Sequence, residues 1–234
     1  ETTVADIDAL AVQPDGRILA GGGFSRVNGV ERRRLVRLLG DGTVDPSFSA
    51  PAELAAGPGI RAIAIDVTGA MFVANGTSRI WRLRPDGAID PSFSSREVPE
   101  NATEPKLLFH TLALAPDGKI VAGGSYAGSS AHAGPVRFTT SGTIDLQLPL
   151  PPFDRTGGTL SPYETDALRV LADGRIMVAS TRIHWDSRNP NPTYAQSCLR
   201  FSASGALDAT YRATLPPETA TERYWSRAWF YPDG

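Results

Sequence analysis

Short apolar runs separated by glycine-centred turns recur along the whole chain. Ile7-Asp8-Ala9-Leu10-Ala11-Val12 and Ile176-Met177-Val178-Ala179 are apolar on nearly every residue rather than on every second one. A strand with one wet face alternates, so near-continuous runs predict strands buried on both faces, as in sheets stacked on one another. Glycine and proline punctuate the chain every ten to fifteen residues. No segment sustains a helical period, so helix is the losing reading.

The runs belong to a repeated phrase: an apolar run, a turn, a second apolar run, then small residues. Its copies are IDALAVQPDGRILAGG from Ile7 to Gly22, IRAIAIDVTGAMFVANG from Ile60 to Gly76, TLALAPDGKIVAGG from Thr111 to Gly124 and DALRVLADGRIMVAS from Asp166 to Ser180. WSRAWFYPDG, from Trp225 to Gly234, begins a fifth. The turn glycines Gly16, Gly69, Gly118, Gly174 and Gly234 stand 53, 49, 56 and 60 residues apart. Between these hairpins lies a second phrase: LVRLLGDGTVDPSF from Leu35, IWRLRPDGAIDPSF from Ile80, VRFTTSGTIDLQL from Val136 and LRFSASGALDATY from Leu199.

Two hairpins per repeat predict an all-β fold, a β-propeller or a propeller segment over 1-234. Its blades are four-stranded and antiparallel, with four repeats (about 5-50, 58-95, 106-150 and 164-213) and the first strand of a fifth (222-234). One blade cannot bury its own faces, so blades must pack on their neighbours. In Pro14-Asp15-Gly16 and Pro116-Asp117-Gly118, proline presets the first central turn position, aspartate bonds its own backbone, and glycine takes the left-handed conformation that closes the hairpin. Val67-Thr68-Gly69 keeps only the glycine. The small residues after the second strand, Ala20-Gly21-Gly22, Ala122-Gly123-Gly124 and Ala179-Ser180, predict close backbone approach at a crowded rim.

From Ile7 to Phe48 the sequence IDALAVQPDGRILAGGGFSRVNGVERRRLVRLLGDGTVDPSF resembles the delta-60 repeat of bacterial proteins. The second copy keeps DGAIDPSF, the third keeps LALAPDGKIVAGG with Leu146 where the pattern has proline, and the fourth diverges most. The resemblance implies a propeller in a large exported or surface-attached bacterial protein, extracellular or at the cell surface. It also implies a role in adhesion, recognition or assembly and no catalytic residues, because the pattern consists of turn and core positions. The double glycines are also similar to kelch repeats, without the regular Tyr and Trp expected after them.

Composition narrows the function classes. With 41% hydrophobic and 21% charged residues the chain is globular, and a net charge of −2 leaves no basic excess for nucleic acid. Glu31-Arg32-Arg33-Arg34 reads as a solvated loop and Asn28-Gly29 as a turn. Cys198, the one cysteine, reads as a packing thiol. No apolar run is long enough to span a bilayer. Without an initiating Met, and ending at Pro232-Asp233-Gly234, the sequence reads as a segment of something longer.

Candidate chemistry is sparse. Asp45, Asp90, Asp145 and Asp208 each follow a second-turn glycine by three residues. A ring of such carboxylates would hold Ca²⁺, the one cofactor considered, and the plainer alternative is an aspartate capping its own turn. His110, His132 and His184 fall in three repeats without metal-ligand spacing, and no hydrolase motif occurs. The longest insertion, Thr181 to Ser197, offers a binding loop with Trp185 and Tyr194 for stacking and His184, Asp186, Arg188 and Asn189 for polar contacts, and the plainer alternative is a loop whose Trp185 packs down on the blade edge. The expected function is non-enzymatic recognition of a glycan or protein at the cell surface. A self-assembling surface segment, or a carbohydrate-active propeller enzyme with clustered carboxylates of raised pKa, are the alternatives.

Overall fold

The computed structural model describes residues 6–55, 59–95, 106–127, 133–150, 159–160, 164–186 and 189–214; the expected strand from Trp225 lies outside them. Strands β1 (Ile7–Val12), β2 (Ile18–Gly22), β3 (Arg26–Val27), β4 (Val30–Glu31) and β5 (Leu35–Leu38) come first. β1, β2 and β5 form a sheet in that order, and β3 pairs with β4 as a separate ribbon. Its turn places Asn28 at φ 50° and Gly29 at φ 78°, as an Asn-Gly hairpin requires. After the short helix α1 (Ala52–Ala55), strands β6 (Ala62–Ile65), β7 (Met71–Ala74) and β8 (Ile80–Leu83) build the second sheet.

The third sheet comprises β9 (Lys106–Leu114), β10 (Ile120–Ala127), β11 (Ala133–Phe138) and β12 (Ile144–Pro149). The fourth comprises β13 (Thr159–Leu160), β14 (Glu164–Val170), β15 (Ile176–Asp186), β16 (Asn189–Phe201) and β17 (Leu207–Thr214). All the strand pairings are antiparallel.

Two expectations need correction. The first two sheets have three strands, and the fourth is reduced to single bridges, Leu38 to Val44 and Leu83 to Ile89. Pro46 and Pro91 follow Asp45 and Asp90 and cannot donate to a ladder; Leu146 and Ala209 stand there in the third and fourth sheets, where pairing continues. Nor is Thr181 to Ser197 a loop: β15 and β16 run paired through it, Thr181 opposite Gln196 and Asp186 opposite Asn189.

The hairpin turns follow the chemistry of their residues. Gly16, Gly69, Gly118 and Gly174 lie at φ 81° to 84°, the second-turn glycines at φ 84° to 97°. The Gly16 N–H donates to Gln13 O at 2.9 Å, and the Gln13 N–H to Arg17 O at 2.8 Å, a three-residue hairpin loop with a left-handed glycine.

The sheets pack face to face in chain order. Leu19, Leu35 and Phe48 meet Ile60, Met71 and Val73 between the first and second. Phe72 and Phe93 meet Phe109, Ile120 and Phe138 between the second and third. Val121 and Leu148 meet Ile176, Val178 and Phe201 between the third and fourth. Both faces of β7 are buried, as the apolar runs predict, whereas β1 is buried on one face only. The first strands lie side by side, β6 touching β1 and β9, and β9 touching β14; their side is called the inner edge below.

Candidate functional site

The double glycines shape the inner edge. A Cβ on Gly22 would stand 1.9 Å from the Asp6 carbonyl oxygen, and one on Gly124 1.8 Å from that of Leu108. On Gly21 or Gly123 it would meet Ile60 Cγ2 or Thr165 Cγ2 of the next sheet at 2.6 and 2.5 Å. One glycine thus admits the sheet's own first strand and the other admits its neighbour, the close approach expected from the sequence.

The first strand comes so near because it is bulged. In β1 the register passes from Ile7 opposite Gly22 to Ala9 opposite Gly21, so that Asp8 is the extra residue of a bulge. The same step leaves out His110 in β9 and Asp166 in β14. A bulge adds one unpaired residue and re-aims its side chain. In the second sheet Arg61, immediately before β6, holds the equivalent place, eight residues before the turn glycine.

Asp8, Arg61, His110 and Asp166 therefore form a row along the inner edge, one from each sheet. Arg61 Nη1 lies 3.3 Å from Asp8 Oδ1, an ion pair between the first and second sheets. Burial lowers the His110 pKa, with Glu164 opposing and Arg61 assisting. Burial also pushes the Asp166 carboxyl up to about 6; Glu164 raises it further, while the Thr181 hydroxyl, donating to Oδ2 at 2.6 Å, holds it down. A titratable residue eight positions before each first-turn glycine was visible in the aligned repeats, but only the register shows that in three sheets it sits at a bulge.

The raised pKa has a signed consequence. Folded Asp166 holds its proton at pH values where the unfolded chain has lost it, so its contribution to stability is complete below about pH 4 and declines through about pH 6. Asp166→Asn is expected to raise stability at pH 7 by about 2 kcal/mol and to remove this slope. Burial of His110 gives the opposite slope below its ordinary pKa, so urea unfolding from pH 4 to 8 should compare Asp166→Asn with His110→Gln. An unchanged slope in Asp166→Asn would refute the assignment.

Three of the four repeated aspartates, Asp45, Asp90 and Asp208, cap their own turns, and Asp145 serves only in ion pairs. Asp45 Oδ1 accepts from the Ser47 N–H at 2.9 Å and hydroxyl at 2.6 Å, while Oδ2 accepts from Arg37 Nε at 2.8 Å. Asp208 repeats this with Thr210 and Arg200, and both carboxyls are held at about 2, chiefly by the hydroxyl bonds. Asp90 bonds Ser92 and pairs with Arg82; Asp145 pairs with Arg137 and Lys119. The structure does not gather them for Ca²⁺: among the described residues no three His, Cys, Asp or Glu side chains are placed to hold a metal ion.

These pairs also tie sheets together. Arg37 donates to the Pro85 carbonyl and Arg137 to the Ala203 carbonyl, each in the second turn of the next sheet. A cavity of about 310 Å³ lies between the turns of the third and fourth sheets, beside Asp117, Lys119, Arg137 and Asp173. Each of these is already ion-paired.

Of the residues expected to bind ligand, His184, Trp185 and Asp186 belong to β15 and Tyr194 to β16. Their side chains, and Arg188 as a whole, lie outside the described residues. Their hairpin continues directly from Thr181, the partner of Asp166. Cys198 is half-buried, its thiol pKa raised by burial, in keeping with a packing role.

Residues 13–48, 65–93 and 115–147 match the family model of a β-propeller domain of unknown function (DUF5122). No curated protein matches the chain. Among solved structures the chain is similar to the extracellular domain of a hybrid two-component system from B. thetaiotaomicron, at 12% identity and a TM-score of 0.47. The similarity covers 89% of this chain and 28% of that one, so this chain spans under a third of that structure's length. Each stretch matched by the family model takes in both turns of a repeat; this is an all-β chain of antiparallel sheets whose first three repeats carry a β-propeller signature.

Proposed function

We propose that the chain is a non-catalytic recognition module of a bacterial extracellular or surface protein, binding a glycan or protein at the inner edge of its sheets. The ligand meets Asp8, Arg61, His110, Glu164 and Asp166, together with the hairpin of β15 and β16. One observation carries this reading: titratable residues stand at the bulges of the first strands, and burial raises the Asp166 pKa beside a second carboxylate, Glu164. Folding alone favours a neutral residue there, and a desolvated ionisable group of this kind marks functional sites. Carboxylate, guanidinium and imidazole groups suit sugar hydroxyls or a polar peptide, and the hairpin adds Trp185 and Tyr194 in sequence.

The test is a glycan array and a panel of surface proteins probed with the wild type, Arg61→Ala and Trp185→Ala. Saturable binding weakened at least about tenfold in both variants is expected, each loss being about 1.4 kcal/mol or more. No binding, or binding indifferent to both changes, would remove the inner edge as the site. A second reading is carbohydrate hydrolysis, favoured by Asp166 near pH 6 beside Glu164, an arrangement suited to a general acid. Release of product from a bound oligosaccharide, abolished in Asp166→Asn with binding kept, would establish it.

A further inference from the structure

The first and second turns of the four repeats lie at the end of the sheets opposite the bulges, each closed by a glycine N–H bonded three residues back. At this end a cavity of about 310 Å³ separates the third and fourth sheets, at the small end of the range for ligand pockets. Residue size explains the opening. Ala115 lines it three residues before the turn glycine, where the first and second sheets carry Gln13 and Asp66. Val121 lines it three residues after that glycine, where they carry Leu19 and Phe72. Gln13 is 6% exposed, and Leu19 and Phe72 are buried against the following sheet. Larger side chains thus occupy the matching space in the first two junctions, and smaller ones leave it open in the third.

The cleft has an apolar wall and a charged mouth. Val121, Val170 and Ile176 form the wall, and Lys119 and Arg137 stand with Asp117 and Asp173 at the mouth. Arg137 commits Nε to Asp145 and Nη1 to the Ala203 carbonyl. In the first sheet Arg37 also commits Nη2, to Ser47 Oγ at 3.2 Å. Gln147 holds the place of Ser47 in the third sheet, and Arg137 Nη2 has no hydrogen-bond partner among the described residues. Lys119 Nζ lies 3.3 Å from Asp145 and 3.6 Å from Asp117, and the Asp117 and Asp173 side chains are about half exposed. Ion pairs this wet contribute little, so a ligand's own charges replace them at small cost.

Two cations and two carboxylates beside one apolar wall match a small ligand that carries both charges and an aliphatic body. We propose that this cleft binds a free α-amino acid with an aliphatic side chain. Arg137 Nη2 and Lys119 Nζ take its carboxylate, Asp117 and Asp173 its ammonium, and Val121, Val170 and Ile176 its side chain. A ligand with one charge alone leaves half of the mouth unmatched, which sets the specificity. The site is independent of any ligand at the inner edge, which lies at the other end of the first strands.

Titration calorimetry of the full 234-residue chain with L-leucine tests this, and saturable binding at about 1 mM or tighter is expected. N-acetyl-leucine, which lacks the ammonium, and leucinamide, which lacks the carboxylate, should each bind at least about tenfold more weakly. The same loss is expected in Ala115→Gln, which brings the first sheet's residue into the cleft, and in Lys119→Gln, a change at a part-exposed side chain that leaves the core alone. Amide shifts on adding leucine should centre on Gly118 and Gly174. No saturation by leucine, isoleucine or valine overturns the proposal, and equal binding of either leucine derivative overturns the zwitterion. Binding that both variants retain, or shifts centred on Thr111 at the inner edge, would place the amino acid elsewhere and refute the cleft.

Discussion

Asp45→Ala is expected to lower the free energy of unfolding by about 3–5 kcal/mol, because it strands a buried guanidinium. Arg37 and Asp45 side chains are 5% and 4% exposed. Arg37 also bonds Ser47 Oγ at 3.2 Å and the Pro85 carbonyl, and lies 4.8 Å from the centre of the Phe48 ring. Removing the carboxylate leaves this cation desolvated within the first sheet's junction with the second. Asp208→Ala is the comparison: that pair is about a quarter exposed, water can take over, and the loss should be much smaller than for Asp45→Ala. Urea unfolding of both variants at pH 7 decides it. Equal small losses would show that burial of the first pair contributes nothing special. Acid should act in the same direction, the Asp45 contribution being complete above about pH 4 and lost as pH falls through about 2.

Gly124→Ala should destabilise by about 3 kcal/mol or more, or prevent folding, since the new methyl meets backbone and not a movable side chain. Its Cβ would lie 1.8 Å from Leu108 O, and relief requires the bulge at His110 to open. Gly16→Ala is the contrast. Nothing lies within 4 Å of its Cβ, but φ is +84°, so the penalty is conformational only, about 1–2 kcal/mol. Thermal melts of the two variants, with hydrogen exchange at Thr111 as a local probe of the bulge, would separate the mechanisms. Similar melting of both would mean that the first strand can retreat from the glycine without consequence.

Much of the fold was legible because its determinants are local. Gly16, Gly69, Gly118 and Gly174 announce hairpins by a backbone conformation that few other residues accept, and their period exposes the stacking of sheets. The double glycines likewise announced crowding. What escaped were features of register. Asp8, His110 and Asp166 look like ordinary strand residues until the pairing shows them skipped. Thr181 to Ser197 has turn-like composition, with two prolines in Asn189-Pro190-Asn191-Pro192, yet β15 and β16 pair through it. Arg37 and Asp45 stand eight residues apart, a separation that means nothing until the second hairpin folds and sets them side by side.

Pro46 and Pro91 have a consequence for colloidal behaviour. A molecule of stacked sheets presents one outer rim per repeat, and every unpaired rim is a template on which a foreign strand can grow. By cutting the fourth strand to a single bridge, these prolines leave the first two rims too short to seed such growth. The fourth sheet has no such guard between Asp208 and Thr210, and β17 runs from Leu207 to Thr214. Under mild denaturing stress, precipitation should therefore nucleate at this rim, and a proline in place of Ala209 should delay it.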